Sequence, residues 1–569
     1  MLAGLAWLIV TGLLARTELH RVEQGLTTLH QDLSDQDFDQ ARADAVKLQT
    51  NTHRAHSLTS GPAWWFAAKI PWIGQPAKVA RVSADVADEL SRTALPSVTE
   101  AADKLNPHTL WSGESIKLAP IRDIAPTLQA ASTATQRAVA QVAKLPTSTW
   151  LPPVNSARAT LADQLRSISA TLTSANRAAQ LAPEMLGANG TRRYFIAIQN
   201  EAEARGLGGL PGSFIIVTAT DGKIAFTYFG SDMDLDATSA DVSLSEDYLA
   251  KWKQADPTAV YVNSDIGVNP PDAAKIWASM WRQKSGENVD GVISVDPTAI
   301  SYLLAAAGPA TLPNGTIVSS DDIVSLTQKD IYARYGATTQ ARVERKDELT
   351  LIAKAVKDQL LASTDSAGMI KGALKAASER RLIMWSSHPD EQRELLQTSL
   401  ARDWSKTKAP VSGFTVVNAA GSKLDYYLDR SMTYSRFGCG DKRLVTASLK
   451  LTNDAPTSGL PPYVTIRADN PTYPTKPGDN RLIVSYYGTP GGVVRAVLVD
   501  GKKAPVSVTT EDGLVSIAVD LELPAGQSRT VAVQLVEPAA TGKVQFIDQP
   551  LVRSEQQHIS GADEKTCPF

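Results

Sequence analysis

The residues best suited to chemistry lie together in the segment TRRYFIAIQNEAEARGLGGLPGSFIIVT, residues 191–218. Asn200, Glu203 and Arg205 follow the apolar run 194–198, whose aromatic and β-branched residues favour a buried strand. Amide, carboxylate and guanidinium groups at the end of such a strand, before a glycine-rich turn, are typical of binding sites in α/β folds. Glycines also let neighbouring backbone N–H groups point at one anion. The segment therefore predicts an anion-binding site at the end of this strand.

Two roles are open for Glu203 and Arg205, because the alternation of side chains along an extended chain places both on one side. In the first role, they form an ion pair that shapes the glycine turn. In the second, Arg205 contacts the anion and Glu203 orients Arg205. Arginine at a glycine-rich strand end serves both roles in α/β folds, so the residues alone favour neither.

A second group of candidate ligands opens a predicted helix over 342–363. Arg342, Arg345 and Lys346 lie early in this helix, and Arg334 lies just upstream. Guanidinium groups at the start of a helix suit phosphate or pyrophosphate, because their forked donors and the helix dipole both favour an anion. The same cations also suit a solvated helix face paired with nearby acidic residues, and charge alone favours that interpretation. The acidic residues are Glu344, Asp347 and Glu348.

Three carboxylates alternate along the chain at Asp232, Asp234 and Asp236. Because alternate residues of an extended chain share a face, Asp232 and Asp234 are candidate ligands for a divalent cation such as Mg²⁺. The segment does not match an EF-hand calcium loop, since Ser243 stands at the position of the closing glutamate. A solvated acidic loop is the favoured interpretation.

The composition excludes several classes of protein. A chain of 569 residues exceeds one domain, and its 43% hydrophobic content supports packed cores. The net charge of −3 does not suggest a nucleic-acid partner. Cys439 and Cys567 are the only cysteines, too few for a disulfide scaffold or a Cys-x-x-Cys zinc site. Because they bracket the last β-rich segment, we expect them to form a disulfide bond if this part lies outside the cell.

The pattern of elements predicts a multidomain chain of α, α/β and β parts. The apolar run before Arg16 predicts a membrane anchor over 1–16, although a run shorter than about 20 residues also fits a buried core helix. Apolar residues at helical spacing over 17–186 predict a helical bundle or stalk that begins as a coiled coil. Alternating strands and helices over 187–405 predict an α/β core, and alternating apolar residues over 406–569 predict a β-sandwich. We therefore expect a single-pass protein of the cell membrane whose bulk is extracytoplasmic.

Several stretches resemble a membrane-anchored bacterial family called domain of unknown function 4012. They are TRRYFIAIQNEAEARGLGGLPGS, GPAWWFAAKIPWIG, VDGVISVDPTAISYLLAAAGPATL, KLDYYLDRSM and the β-rich tail with LPPYV. The resemblance spans nearly the whole chain after the predicted anchor. Because the family has no settled activity, it implies location and architecture rather than a reaction.

The α/β core also resembles the LytR–CpsA–Psr transferases, which move glycan chains from a polyprenyl-pyrophosphate carrier onto the cell wall. The similar stretches are NPPDAAKIWASMW, DGVISVDPTAISYLL, AAGPATL and IYARYGATTQARVERKDELTLIAKAVKDQL, the last of which is similar to their arginine-rich motif. The residues that the resemblance implies for pyrophosphate binding are Arg205, Arg334, Arg342 and Arg345. The chain has a glycine turn where the family has an acidic element, and Asp232 only loosely replaces the metal-binding acid.

Two functions remain open. The first is a binding or scaffold protein of cell-envelope or surface-polysaccharide assembly, with a LytR–CpsA–Psr-like core. The alternative is an active phosphotransferase in which Mg²⁺ neutralises pyrophosphate and the arginines stabilise charge on the leaving group. The expected partners are the membrane and a cell-wall glycan or polyprenyl-pyrophosphate lipid, and not nucleic acid. An acid within reach of Arg205 and Arg342 favours the enzyme, whereas an open site without a base favours binding.

Overall fold

The chain forms two compact units that differ in structure. The computed structural model describes residues 2–34, 37–105, 110–112, 114–439, 441–540 and 542–564. The first unit comprises Met1–Gly190 with Thr220–Lys223, and the second comprises Thr191–Ala219 with Ile224–Phe569. The first is mostly helical, whereas the second carries the α/β part and the C-terminal sheets. The predicted combination of a helical N-terminal region with later sheets is therefore confirmed.

Long amphipathic helices make up the first unit. They are α1 Leu2–Ser34, α2 Phe38–Thr59, α3 Pro62–Lys69, α4 Gln75–Lys104, α5 Leu118–Ala143 and α6 Pro152–Met185, with a hairpin of β1 Trp111–Ser112 and β2 Ser115–Ile116 before α5. Each of the long helices packs on the next one along the chain through an apolar stripe. Ile124 and Leu128 of α5, for example, share a buried core with Leu172 of α6. These buried residues belong to the helically spaced apolar positions that predict a helical bundle.

The predicted membrane anchor over 1–16 is wrong. Within the described ranges, no helix is both long enough and apolar enough to cross a membrane. The apolar run belongs to α1, which continues through charged residues to Ser34. Part of the run packs against the protein itself, where Trp64 Nε1 donates to the buried Thr11 Oγ1 at 2.9 Å. The predicted localisation as a single-pass membrane protein depended on this anchor, and the same finding contradicts it.

A sheet forms the centre of the α/β part. Its strands are β3 Arg192–Arg205, β4 Gly208–Thr220, β5 Lys223–Ser231, β6 Gly291–Val295 and β9 Leu382–Ser386, and β7 Ala310–Thr311 and β8 Ile317–Val318 form a separate hairpin. The order is β5-β4-β3-β6-β9. β3 runs antiparallel to β4 and parallel to β6, and β6 runs antiparallel to β9. The predicted buried strand over 194–198 is confirmed as the first half of β3.

Helices connect and cover these strands. They are α7 Glu246–Lys251, α8 Pro270–Ser285, α9 Pro297–Ala307, α10 Ile323–Ser325, α11 Ile331–Arg334, α12 Thr339–Ala362, α13 Ser366–Ser378 and α14 Pro389–Leu395, with a π-helical turn Leu326–Asp330 between α10 and α11. α8 packs on the sheet through aromatic rings: Trp277 stacks on Phe195 with centroids 6.2 Å apart, and Phe195 stacks on Phe214 at 4.8 Å. The predicted helix over 342–363 is confirmed as α12.

The polar residues predicted to follow the first strand lie inside it instead. β3 continues to Arg205, and a two-residue turn joins it to β4. Shifts in register after Ile198 and Asn200 mark bulges in which β3 bends. The strand can extend this far because a distant segment covers it: Ala204 N donates to Asp425 Oδ2 at 2.7 Å. The predicted open end of the strand is thus a buried junction within the second unit.

The C-terminal part consists of two sheets that share one apolar core. Its strands are β10 Val411–Asn418, β11 Leu428–Cys439, β12 Lys442–Asn453, β13 Asn480–Gly488, β14 Val493–Val499, β15 Lys502–Lys503, β16 Ser507–Glu511, β17 Leu514–Leu523, β18 Ser528–Pro538, β19 Gln545–Phe546 and β20 Gln556–Glu564, and the short helix α15 spans Pro462–Thr465. The sheet orders are β16-β17-β13-β10-β19 and β15-β14-β18-β12-β11-β20. Leu449, Val519 and Val533, which belong to the alternating patterns, are buried in the shared core.

Candidate functional site

Charged side chains meet where β5 ends and α12 begins. Asp232 directly follows β5, and Arg342 and Lys346 lie four residues apart on α12, so that they share one face of that helix. Arg342 Nη2 lies 3.1 Å from Asp232 Oδ2, and Lys346 Nζ lies 2.7 Å from Asp232 Oδ1. Lys346 Nζ also donates to the carbonyl oxygen of Gly212 at 2.8 Å. We call Asp232, Arg342, Arg345 and Lys346 the Asp232 cluster.

The electrostatics of the Asp232 cluster are dominated by cations. Burial lowers the pKa of Lys346, Asp232 opposes this shift, and the charges of Arg345 and Arg342 add to the lowering. Burial also raises the pKa of the neighbouring Asp236, and the negative charge of Asp232 raises it further, whereas the positive charges of Arg342 and Lys346 oppose the rise. Asp232 is 6% exposed, whereas 43% of the Arg342 side chain is exposed, so the cluster opens to solvent at Arg342.

Arg345 is the most deeply buried cation of the cluster and lies against two tyrosines. Its Cζ is 4.0 Å from the ring centroid of Tyr463 and 5.6 Å from that of Tyr332. Its Nη2 donates to the Tyr463 hydroxyl at 2.7 Å, whereas its buried Nη1 has no hydrogen-bond partner among the described residues. The Tyr332 hydroxyl accepts from Asn200 Nδ2 at 2.5 Å, which links this predicted site residue to the cluster. One buried guanidinium donor here therefore lacks an acceptor among the described residues.

Arg334 stands apart from the other predicted arginines. Its Nη1 donates to Glu348 Oε1, and the Tyr335 hydroxyl donates to Glu348 Oε2 at 2.6 Å. Because 46% of its side chain is exposed and its partner is Glu348, Arg334 forms the solvated ion pair that the sequence also allowed for Arg342, Arg345 and Lys346. Arg342 differs, because its carboxylate partner is Asp232 on another element.

Glu203 and Arg205 form a buried ion pair. Arg205 Nη2 lies 3.0 Å from Glu203 Oε1, and Arg205 Nε donates to the carbonyl oxygen of Val262 at 3.1 Å. Both residues are 5% exposed, and Lys423 supplies a second cation to Glu203. Of the two roles open for Arg205, these contacts favour the structural one. The structure thus brings Asn200, Arg342 and Arg345 together and places Glu203 and Arg205 in a separate buried network.

The candidate metal ligands have protein partners. Asp234 Oδ2 accepts from Ser231 N at 2.8 Å, and Asp234 Oδ1 accepts from the Tyr228 hydroxyl at 2.9 Å, so this side chain caps the turn after β5. Asp232 lies within ion-pair distance of Arg342 and Lys346. Across the described residues, no three His, Cys, Asp or Glu side chains are grouped so that they could hold a metal ion.

A buried charge network that sequence reasoning missed lies under β3 and β6. Arg381 Nη1 is 2.6 Å from Glu201 Oε1 and 3.0 Å from Asp296 Oδ2, and each of these residues is at most 4% exposed. Burial raises the pKa values of both carboxyl groups, and Arg381 opposes the rise. The only signal in the sequence was an acidic residue next to an apolar strand, which does not identify its partners.

The predicted disulfide lies partly outside the described residues. Cys439 is the last residue of β11, and Cys567 is not among the residues that the structure describes. The backbone of β20 runs parallel to β11, with Glu564 opposite Phe437. The disulfide stays a prediction.

Comparison with known proteins gives a family match for part of the chain. Residues 189–332 match the family described as "Protein of unknown function (DUF4012)". This segment contains β3, β4, β5 and Asp232 and ends before α12. The resemblance to this family is confirmed for these residues.

The other comparisons add no functional information. No curated protein matches this chain. The solved structure of the Lin1025 protein from Listeria innocua is similar at 13% sequence identity and a TM-score of 0.16, over 37% of this chain and 99% of that chain. A TM-score this low carries no argument about fold or function. The resemblance to LytR–CpsA–Psr transferases stays a prediction.

Proposed function

We propose that this protein is a binding or scaffold protein of cell-envelope or surface-polysaccharide assembly, and that its Asp232 cluster binds the pyrophosphate of a polyprenyl-linked glycan. The observation that carries the proposal is the excess of positive charge in the cluster. Arg342 and Lys346 both pair with the single carboxylate of Asp232, and Arg345 lies beside them without a carboxylate partner of its own among the described residues. A bound anion offsets the repulsion among these three cations.

The geometry of the donors suits phosphate oxygens. Arg345 Nη1 is a buried donor without a partner among the described residues, and an unpaired buried donor is unfavourable until an acceptor reaches it. Arginine and lysine together form short charge-assisted hydrogen bonds to phosphate, with arginine adding a planar fork. Arg342 is partly exposed and offers the route by which a ligand reaches the buried cations.

The choice of pyrophosphate rests on the sequence. Arg342 and Arg345 lie in the stretch that is similar to the arginine-rich motif of LytR–CpsA–Psr transferases, whose carrier is a polyprenyl pyrophosphate. The non-catalytic role is favoured because the acid nearest to Arg342 is Asp232, which is held by two cations. The alternative, an active phosphotransferase, is supported only if pyrophosphate draws both cations away and so releases Asp232 for Mg²⁺.

Titration calorimetry of the full chain with a short-chain polyprenyl-pyrophosphate analogue tests the proposal. Arg342→Gln should weaken binding by about tenfold or more, because a hydrogen bond to a charged group contributes about 1.5–3 kcal/mol and each 1.4 kcal/mol is a factor of ten. Arg393→Gln is the matched control, since Arg393 is an exposed arginine that pairs, among the described residues, with Asp390 alone.

The outcomes separate the two functions. If the analogue binds the parent and the Arg342→Gln variant equally, or binds neither, the Asp232 cluster is not its site. If binding occurs and added Mg²⁺ leads to transfer of the phosphoryl group to a glycan acceptor, the phosphotransferase replaces the binding protein. Binding without turnover in Mg²⁺ supports the proposal.

A further inference from the structure

A line of lysines and aromatic rings extends from the Asp232 cluster between β5 and α12. Lys357 Nζ lies 5.8 Å from the ring centroid of Phe226, and Lys354 Nζ lies 5.5 Å from that of Phe229. The residue numbers rise along β5 as they fall along α12, so the helix runs beside the strand in the opposite direction. We call Phe226, Phe229, Lys354 and Lys357 the β5–α12 seam.

The β5–α12 seam is continuous with the Asp232 cluster. Lys346, on the same helix as the seam lysines, pairs with Asp232 directly after the end of β5. Phe226 lies six positions before Asp232. Because a strand rises about 3.3 Å per residue, the line of contacts is about 20 Å long. A ligand held at the cluster by its pyrophosphate can therefore extend along the seam.

The two phenylalanine rings form a partly exposed apolar surface beside α12. Their centroids lie 6.3 Å apart, and their planes differ by 19°. Tyr228, which lies between Phe226 and Phe229 in β5, instead packs on the other side of the sheet, with its ring centroid 5.3 Å from that of Trp281 of α8. Both phenylalanines are half-buried. Such rings suit the C–H face of a sugar, because the contact removes apolar surface of both from water.

The seam lysines differ in their partners. Lys357 forms an ion pair with Asp358, with Nζ 2.5 Å from Oδ1, and 23% of its side chain is exposed. Lys354 is exposed and has no carboxylate partner among the described residues. The seam therefore carries a surplus positive charge, and Lys354 is the cation that is open to an anionic group.

The two ends of a polyprenyl-linked glycan differ in how they suit the seam. An isoprenoid chain that covers Lys354 buries an ammonium group without a partner, which is unfavourable. An acidic glycan offers carboxylates that pair with lysine and C–H faces that pack on the rings. Rings beside cations also suit single-stranded nucleic acid, but the net charge of −3 does not suggest a nucleic-acid partner. The chemistry of the seam thus favours the acidic glycan.

We propose that the β5–α12 seam binds the glycan of the ligand, and that this glycan is acidic. Its carboxylate groups pair with Lys354, and its sugar rings pack on Phe226 and Phe229. The inference rests on the proposed function, because it assigns to the seam the glycan of the lipid whose pyrophosphate the Asp232 cluster binds.

Tetragalacturonate is the probe, because it carries a carboxylate on each sugar ring and contains no phosphate. Calorimetric titration of the full chain should show saturable binding that Phe229→Leu weakens severalfold. Lys354→Gln should weaken it by about tenfold, as expected for the loss of one hydrogen bond between charged groups. Maltotetraose, a neutral counterpart of the same length, should bind more weakly than tetragalacturonate by about tenfold or more, because it cannot form that bond. Lys450→Gln, which changes an exposed lysine of β12, is the control and should bind tetragalacturonate as the parent does.

Three results overturn the proposal. The first is tetragalacturonate that binds the parent and the Lys354→Gln variant equally, or binds neither. The second is maltotetraose that binds as tightly as tetragalacturonate. The third is an oligothymidylate that binds the parent more tightly than tetragalacturonate and loses affinity in the Lys354→Gln variant, since the seam is then a nucleic-acid site.

The polyprenyl-pyrophosphate analogue, which carries no glycan, keeps this proposal and the proposed function apart. Lys354→Gln should bind the analogue with the affinity of the parent, whereas Arg342→Gln should bind it more weakly. If the analogue depends on Arg342 and tetragalacturonate does not depend on Lys354, the seam proposal fails alone. If the analogue does not bind and tetragalacturonate depends on Lys354, the proposed pyrophosphate site fails, and the seam is supported as a site for an acidic glycan.

Discussion

Glu201 and Asp296 share one nitrogen of one arginine. Glu201 lies in β3 and Asp296 follows β6, and their carboxylates lie 2.6 Å and 3.0 Å from Arg381 Nη1. Asp296 Oδ1 also accepts from Ala299 N at 2.7 Å and so caps α9. The network therefore joins two strands of the sheet, the start of a helix and the turn that precedes β9. A single cation between two buried carboxylates makes each of the three groups dependent on the other two.

Removal of the shared cation should destabilise the second unit strongly. Arg381→Met leaves two buried carboxylates without their cation, and breaking a buried pair in this way lowers the free energy of unfolding by about 3–5 kcal/mol. Urea unfolding measures the change, and Arg393→Met at an exposed position is the control. If Arg381→Met lowers the free energy of unfolding by no more than the control does, the network contributes nothing to stability.

Asp265 should make stability fall as the pH rises. Burial raises the pKa of Asp265 from 3.8 to about 7, and Arg205 and Gln199 oppose the rise. Because the folded chain then holds the proton more tightly than the unfolded chain, the stability that this group contributes is fully present below pH 3.8. It is lost as the pH rises through about 7, with a slope of up to about 1.4 kcal/mol per pH unit.

Urea unfolding at pH 5 and pH 8 checks this prediction. The Asp265→Asn variant should lose less stability between the two pH values than the parent, because asparagine has no proton to release. The comparison with the parent removes the contributions of the other buried carboxyl groups, which titrate in both proteins. If the parent and the variant lose stability equally between pH 5 and pH 8, the pKa of Asp265 is not raised.

The sequence predicted elements with strong local patterns and missed the contacts that join distant segments. The apolar run 194–198 and the alternating residues of the C-terminal strands were sufficient to identify strands. The burial of Arg205 was not predictable, because the residues that cover it come from far along the chain: Gln549 Nε2, 344 residues away, donates to the Arg205 carbonyl oxygen. The cations on α12 were identified by their charge, but their partner Asp232 lies 110 residues from Arg342.

The two cysteines should form a disulfide bond in the oxidised protein. β20 runs parallel to β11 with Glu564 opposite Phe437. Cys439 follows Phe437 by a few residues in the sequence, and Cys567 follows Glu564 in the same way. Peptide mapping without reductant should recover Cys439 and Cys567 in one linked fragment. Closure of a long loop by a disulfide contributes typically about 2–4 kcal/mol, so Cys439→Ser should lower the free energy of unfolding by a similar amount. Two free thiols in oxidised protein contradict the prediction.

Arg205 should prove to be a structural residue and not a ligand-binding one. Arg205→Met removes the ion pair with Glu203 and leaves the carbonyl oxygen of Val262 without its guanidinium donor, at a site that is 5% exposed. We expect the free energy of unfolding to fall by about 3–5 kcal/mol, because the Glu203 carboxylate remains buried with Lys423 as its only cation among the described residues. Folded Arg205→Met protein should still bind the polyprenyl-pyrophosphate analogue with the affinity of the parent, whereas folded Arg342→Gln protein should not. Urea unfolding and calorimetry on both variants separate the two roles. An Arg205→Met protein that is as stable as the parent and has lost the analogue places the anion at the end of β3 and not at the Asp232 cluster.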